Sequence, residues 1–109
     1  MNLSKYITDY REKNWEASAD SWNSPPLTPL ITCKDGFYLS VQASSLHYSC
    51  PRKNIASRYV EVEVGFPSLK PEFIMSYAEE PENPTETVYG YVPIELVEQL
   101  IEFHGGMKE

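Results

Sequence analysis

The sequence predicts a single α+β domain, in which a small, mainly antiparallel sheet of about four strands packs against a helix from each end of the chain. Three patterns predict this fold class. Apolar residues recur at helical spacing near both ends, an Asp-Gly dipeptide separates two apolar runs, and residues 59–64 alternate between apolar and polar. At 109 residues the chain is long enough for one such domain with its own core.

The N-terminal segment is predicted to form an amphipathic helix over residues 3–17, with Asn2 or Ser4 as the N-cap. Its apolar positions are Leu3, Tyr6, Ile7 and Tyr10. The charged positions on the other faces are Lys5, Asp9, Arg11, Glu12 and Lys13. A proline-rich connector over residues 23–29 cannot continue the helix, because proline lacks a backbone donor. We expect this connector to lie extended on the surface.

The central segment, residues 30–92, is predicted to hold the sheet and its loops. Asp35-Gly36 indicates a hairpin between residues 30–33 and 37–43, because glycine accepts the positive φ of a tight turn. The second of these strands has one apolar face, formed by Phe37, Leu39, Val41 and Ala43. Residues 44–57 have little periodicity and predict a loop, and loops of this length are often functional.

A third strand is predicted over residues 59–64. Its inward residues are Val60, Val62 and Val64, and its outward residues are Tyr59, Glu61 and Glu63. Residues 65–68 indicate a turn, residues 71–78 fit either a short helix or a strand, and residues 79–87 indicate an acidic loop.

Residues 88–92 favour a strand, and residues 93–104 favour a helix that has Pro93 at its first position. The predicted buried stripe of this helix is Ile94, Val97, Leu100, Ile101 and His104. Glu95, Glu98 and Glu102 form its predicted outer face, and Gly105-Gly106 ends it.

The charge is distributed unevenly along a chain whose net charge is −7. Residues 1–58 carry seven basic and five acidic side chains, whereas residues 59–109 carry two basic and eleven acidic ones. This balance argues against general binding to nucleic-acid backbones. It fits equally an ordinary solvated surface and an acidic surface that meets a basic partner or stands in for nucleic acid.

Neither a membrane span nor a secretory signal is expected. No apolar run in the sequence approaches the ~20 residues of a transmembrane helix. The N-terminus also lacks the basic-then-apolar order of a signal peptide. The sequence therefore predicts a cytoplasmic protein without membrane partners.

The two cysteines, Cys33 and Cys50, are predicted to be buried thiols. Together with His47 they would supply three zinc ligands, but only one pair has ligand spacing, so we expect no metal and no other cofactor. The sequence contains no nucleophile elbow, phosphate-binding glycine loop or distinctive carboxylate pair. These absences favour a binding protein over an enzyme.

Two clusters are candidates for binding. The first is the acidic, proline-containing segment near residues 79–91, whose candidate partner-binding residues are Glu79, Glu80, Glu82, Glu86, Tyr89 and Tyr91. Prolines reduce the entropy lost on binding, and tyrosines are common at interfaces. The second cluster follows a predicted strand and would bind a small anionic ligand through Gln42, Ser45, His47, Tyr48 and Arg52.

Three segments carry a resemblance to a known group: CKDGFYLSVQASSLHYSCPR, VEVEVGFPS and YAEEPENPTETVYGYVPIELVEQLIEFHGG. Over about residues 30–106 the chain resembles small, mostly uncharacterised proteins encoded by bacteriophages and prophages. Small acidic phage proteins of this size resemble anti-CRISPR and related counter-defence proteins, which commonly bind and block a host defence protein. The resemblance implies no catalytic residues for this chain.

The resemblance implies a non-enzymatic inhibitor that acts in the host bacterial cell on a defence complex such as a CRISPR effector nuclease. The alternative hypothesis is a protein that sequesters a small anionic ligand, such as a signalling nucleotide.

Overall fold

The computed structural model describes residues 1–15 and 25–108 of the chain. The elements in chain order are α1 (Leu3–Asn14), β1 (Ile31–Thr32), β2 (Tyr38–Gln42), β3 (Glu61–Gly65), a 3₁₀ helix (Glu72–Tyr77), β4 (Val88–Pro93) and α2 (Ile94–Phe103). Each strand pairs antiparallel with the next in the order β1-β2-β3-β4. The predicted α+β class, with a four-stranded antiparallel sheet and a helix from each end, is confirmed.

One face of the sheet and the two helices enclose the hydrophobic core. The apolar face predicted for the second strand is buried at Phe37, Leu39, Val41 and Ala43, as expected. Both helices contribute apolar side chains to the same core: Leu3 and Ile7 from α1, and Ile94, Val97, Leu100 and Ile101 from α2. The opposite face of the sheet is more polar, and it carries the candidate site.

Helix α1 begins as the sequence predicts, because the Asn2 side chain accepts a hydrogen bond from Lys5 N at 3.0 Å. The helix ends at Asn14, and residues 16–17 of the predicted helix lie outside the described residues.

Arg11 is a correction, because the sequence pattern placed it on a charged outer face and the structure buries it at 1% exposure. Its guanidinium donates to Pro26 O at 3.0 Å, to Ala43 O at 2.8 Å and to Asn54 O. Helical spacing could not show this, because the carbonyl groups that solvate the guanidinium come from other segments.

The connector was expected to lie on the surface, but the structure buries two of its residues, Pro25 and Thr28. Thr28 and the side chain of Gln42 exchange two hydrogen bonds, Thr28 N to Gln42 Oε1 at 3.1 Å and Gln42 Nε2 to Thr28 O at 3.0 Å. These bonds bury Gln42 on the side of β2 that alternation assigns to the outside. Residues 23–24 of the connector lie outside the described residues.

The third strand begins at Glu61, two residues later than predicted. The two residues before it, Tyr59 and Val60, have side chains that face in the opposite directions to the prediction. Val62 and Val64 are buried as predicted, but Val60 is exposed and Tyr59 is buried. Val60 N and Glu61 N both donate to Cys50 O, at 2.8 and 3.3 Å. Two donors on one carbonyl are typical of a β-bulge, which resets the alternation of side chains.

The C-terminal half follows the prediction closely. Residues 72–77 form a 3₁₀ helix, which decides between the two alternatives for residues 71–78. Pro93 occupies the N-cap position of α2 rather than its first helical position, and the helix ends at Phe103 before Gly105-Gly106. Within residues 1–15 and 25–108, no helix is long and apolar enough to cross a membrane.

Candidate functional site

The two candidate clusters, predicted from separate parts of the sequence, meet on the outer face of the sheet. Tyr48 reaches from the 44–57 loop across β3 to β4, where its carbonyl accepts a hydrogen bond from Tyr91 N at 2.8 Å. The Tyr48 and Tyr91 rings lie 5.7 Å apart between centroids, with an angle of 36° between their planes. Tyr48 N also donates to Glu63 Oε1 of β3 at 3.3 Å. We call this contact of Tyr48, Glu63, Gly90 and Tyr91 the crossing point.

The local backbone of β4 makes the crossing point possible. A β-carbon at Gly90 would lie 3.2 Å from Tyr48 Cβ, so glycine permits the close approach of the two segments. Tyr91 has a φ of +52°, a left-handed conformation that is unusual for a bulky residue. Its hydrogen bond to Tyr48 O accompanies this conformation. Both tyrosine side chains consequently face solvent, with Tyr48 40% and Tyr91 42% exposed.

Charged groups of both signs surround the crossing point. The Arg52 guanidinium lies over the Tyr48 ring, 5.7 Å from its centroid. Glu63 is half-buried on the outer face of β3. Burial raises the pKa of Glu63 and the nearby Glu79 carboxylate adds to the rise, whereas Tyr48 N–H and Arg52 lower it.

Residues 79–87 form the acidic loop, which the backbone holds in a defined shape. Its two ends are joined by bonds from Glu79 N to Val88 O and from Glu80 N to Thr87 Oγ1, each 3.0 Å long. Successive turns form inside the loop, where Asn83 N donates to Glu80 O at 2.9 Å and Glu86 N donates to Asn83 O at 3.0 Å. A loop with these bonds presents its side chains in a fixed arrangement.

The four predicted carboxylates of this loop point to solvent. Glu79, Glu80, Glu82 and Glu86 are all exposed. Within the described part of the chain, none of them forms an ion pair with a lysine, arginine or histidine. Their negative charge is therefore available to another molecule.

Tyr89, which the sequence placed among the partner-binding residues, is fully buried below the acidic loop. Its hydroxyl donates to Pro84 O at 2.5 Å, and burial raises the pKa of this hydroxyl. Tyr89 therefore supports the loop from the core, while the four glutamates and Tyr91 form the accessible surface.

Four of the five residues proposed for a small anionic ligand use side-chain polar atoms in internal hydrogen bonds, Arg52 through an exposed bond to Ser45 O at 3.3 Å. Gln42 bonds with Thr28, and Ser45 Oγ donates to Asn54 Oδ1 at 2.7 Å. His47 Nδ1 lies 2.5 Å from Ser44 Oγ, and burial, with Arg11 and Arg52 nearby, lowers the pKa of His47. A lowered pKa favours the neutral imidazole, which attracts an anion less than an imidazolium. Tyr48 and Arg52 are the two members with exposed side chains.

The Ser44–His47 pair has the composition of a nucleophile and base but is a local turn. Ser44 is fully buried, and its hydroxyl oxygen also accepts a bond from Leu46 N at 3.0 Å. Among the described residues, no carboxylate is hydrogen bonded to His47 to orient it. The pair therefore stabilises the start of the 44–57 loop.

The thiols give one confirmed and one wrong prediction, because Cys33 is buried and Cys50 is exposed. Across residues 1–15 and 25–108, no group of three or more His, Cys, Asp and Glu side chains is placed to hold a metal ion.

Sequence reasoning missed two features. Gly90 and Glu63 belong to the crossing point; a lone glycine inside a predicted strand was the available signal for a close backbone approach. The second feature is a groove of about 650 Å³ between the starts of α1 and α2, whose charged lining includes Lys5, Asp9, Arg58 and Glu95. Its lining residues come from three separate segments, so no local pattern indicates it.

No family model matches the sequence, and no curated protein and no solved structure matches the chain.

Proposed function

We propose that this chain is a non-enzymatic binding protein that blocks a host defence complex, such as a CRISPR effector nuclease, in the cytoplasm of a bacterial host. The acidic loop and Tyr91 dock on a basic, nucleic-acid-binding surface of that complex. The choice of partner follows from the resemblance to phage-encoded counter-defence proteins that the sequence led us to expect, and the geometry of the acidic loop supports the mode of binding.

The observation that carries the proposal is a set of four exposed glutamates on a loop that its own hydrogen bonds hold in place. Among residues 1–15 and 25–108, no cationic side chain lies within ion-pair distance of these glutamates. These carboxylates repel one another, and no cation in the described chain neutralises them. Only water or an external cation can therefore stabilise their charges. A basic protein surface supplies such cations, and a preformed loop loses little entropy when it binds them.

The chain's net charge of −7 acts in the same direction. A surface of one sign steers an oppositely charged partner and increases the association rate, most strongly at low salt. Competition with nucleic acid follows from this mechanism, since both ligands need the same basic surface of the partner.

The test compares three forms of the tagged protein. The first is the wild-type chain, and the second carries Glu80→Lys, Glu82→Lys and Glu86→Lys in the acidic loop. The third carries Glu12→Lys, Glu72→Lys and Glu102→Lys, which changes the net charge equally at exposed positions on helical elements. Each form is incubated with lysate of a bacterium that has active CRISPR and other defence systems, and captured proteins are identified by mass spectrometry.

We expect the wild type and the helix variant to capture the same nucleic-acid-binding defence protein, and the loop variant to lose it. Guide RNA or target DNA should then displace the captured protein in a purified system. Equal capture by the loop variant would contradict the proposal. If the wild type captures nothing, while a nucleotide from a panel raises its melting temperature and Arg52→Ala abolishes that rise, the anionic-ligand hypothesis replaces it.

A further inference from the structure

Arg52 is an internal cation that rests on the exposed aromatic surface of the crossing point. Its guanidinium carbon is 5.7 Å from the Tyr48 ring centroid, within the distance at which a cation and an aromatic face attract each other. The Tyr48 ring in turn contacts Tyr91. A positive charge is therefore already placed where the proposed docking surface begins.

Arg52 is held loosely in this position. In the part of the chain that the structure describes, the guanidinium forms one hydrogen bond, from Nη2 to Ser45 O, which is 3.3 Å long and exposed. No carboxylate in the described residues lies within 4.0 Å of it. Arg11 makes a useful contrast, since its buried guanidinium donates to three carbonyl groups. The Arg52 side chain can leave its place at little cost.

The place that Arg52 occupies is favourable for a cation. Glu63 contributes negative potential there, because its carboxylate accepts a hydrogen bond from Tyr48 N and interacts with Arg52. The Glu63 carboxylate is half-buried, so its field is screened less by solvent than that of an exposed group. Aromatic faces and carboxylates together bind cationic side chains better than either does alone.

We propose that Tyr48, Tyr91 and Glu63 form a recognition site for one arginine side chain of the partner protein. Arg52 occupies the site in the free protein, and the partner's arginine displaces it. This inference rests on the proposed function and specifies the partner group that the crossing point binds.

Arginine fits this site better than lysine does. The guanidinium is planar and weakly hydrated, so it stacks on a tyrosine face and still presents N–H donors to a carboxylate. The lysine ammonium is a strongly hydrated point charge, which loses more hydration when it leaves water. Discrimination between the two side chains is therefore a property of the site that can be measured.

The test uses a capped peptide, acetyl-Gly-Arg-Gly-amide, and follows the backbone amides of Gly90 and Tyr91 by NMR. The matched peptides contain lysine or citrulline, the latter having nearly the shape of arginine without its charge. The key variant is Arg52→Ala, and its control is Lys53→Ala, which removes the same charge one residue away at an exposed side chain.

We expect the arginine peptide to shift both amides and to bind more tightly than the lysine or citrulline peptide. Arg52→Ala should bind it roughly threefold more tightly than Lys53→Ala does, the fold-change that corresponds to one exposed cation–π contact. Glu63→Gln, which retains the acceptor for Tyr48 N–H, should weaken binding by roughly the same factor.

Equal affinity of the Arg52→Ala and Lys53→Ala variants would overturn the inference, as would equal binding of the arginine and citrulline peptides or no binding of the arginine peptide. These outcomes are separate from partner capture, which depends on Glu80, Glu82 and Glu86. A bound arginine peptide without partner capture would retain the site and reject the defence partner. Partner capture without binding of the arginine peptide would retain the defence partner and reject the arginine site.

Discussion

The 44–57 loop and the acidic loop are both polar, irregular in sequence and attached to the same sheet, but the structure uses their polar groups in opposite ways. In the 44–57 loop, the side chains of Ser44, Ser45, Ser49 and Asn54 bond to one another or to nearby backbone groups. In the acidic loop, the backbone makes the internal bonds and the four carboxylates point outward.

The difference teaches that composition alone does not identify a binding loop. A buried polar group must find a hydrogen-bond partner, so the internal bonds of the 44–57 loop are what its burial requires. An exposed carboxylate has no such requirement, and four of them together repel one another. The loop whose charges are left for an outside partner is therefore the better candidate for binding.

The largest predicted effect concerns the internal bonding of the 44–57 loop. Arg11→Ala removes the donor to Asn54 O, Ala43 O and Pro26 O, and we expect it to lower the free energy of unfolding by about 3 kcal/mol, since buried acceptors lose their partner. Urea unfolding followed by circular dichroism measures the change. Lys13→Ala, an exposed cation of the same helix, is the control and should change stability by less than about 0.5 kcal/mol.

Equal stability of the Arg11→Ala and Lys13→Ala variants would contradict the claim that the 44–57 loop depends on internal hydrogen bonds. In that case the carbonyl groups would be satisfied equally well by water, and the 44–57 loop would not depend on an internal donor.

A smaller effect is expected in the support of the acidic loop. Tyr89→Phe removes the hydroxyl that donates to Pro84 O and should cost about 1 kcal/mol of stability, because one buried hydrogen bond is lost. Hydrogen exchange at the amides of Asn83 and Glu86 should become faster, since the loop opens more readily. Tyr38→Phe serves as the control, because Tyr38 is exposed and its hydroxyl has no hydrogen bond within the described residues.

Unchanged exchange in the Tyr89→Phe protein would mean that the backbone turns alone hold the acidic loop. A shift confined to global stability would place the tyrosine in the core without a role in the loop.

The smallest effect is a dependence of stability on pH at Glu63, the carboxylate between the two loops. It faces Tyr48 N–H and Arg52 from the 44–57 loop and Glu79 from the acidic loop, and burial raises its folded pKa. The folded state therefore binds the proton more tightly than the unfolded state does. The stability that this tighter proton binding contributes is fully present below the pKa of the unfolded state, which is about 4.3. It is lost as pH rises through the raised pKa of the folded state.

Glu63→Gln removes this titration, so the variant should gain stability relative to the wild type as pH rises through that window. Denaturant midpoints measured across the acidic range test it, with Glu61→Gln on the same strand as the control. A stability difference that does not change with pH would show that Glu63 titrates alike in the folded and unfolded chains.

The sequence was sufficient for the elements whose signals are local. The Asp35-Gly36 turn, the buried apolar face of β2 and the apolar stripe of α2 from Ile94 to Ile101 each depend on neighbouring residues, and the structure confirms them. The errors at Tyr59 and Val60 arise from a non-local bond, since Cys50 O accepts from two consecutive donors of the third strand.

The candidate site was predictable in its parts and not in its assembly. Exposure of the four loop glutamates followed from an acidic, proline-broken segment. Burial of Tyr89 depends on the bulge at Gly90 and Tyr91, which resets alternation in β4. The contact between Tyr48 and Tyr91 joins residues that are 43 positions apart in the printed sequence, and no periodicity reports such a contact.

The affinity of the captured partner for the two charge-reversal variants tests the central claim most directly. The dissociation constant is measured by calorimetry at one fixed salt concentration for the wild type, the loop variant at Glu80, Glu82 and Glu86, and the helix variant at Glu12, Glu72 and Glu102. If the acidic loop docks on the partner, the affinity of the loop variant should fall on the order of 100-fold, and that of the helix variant should change by no more than about threefold. Equal losses in the two variants would contradict it, because the partner would then respond to net charge and not to this loop.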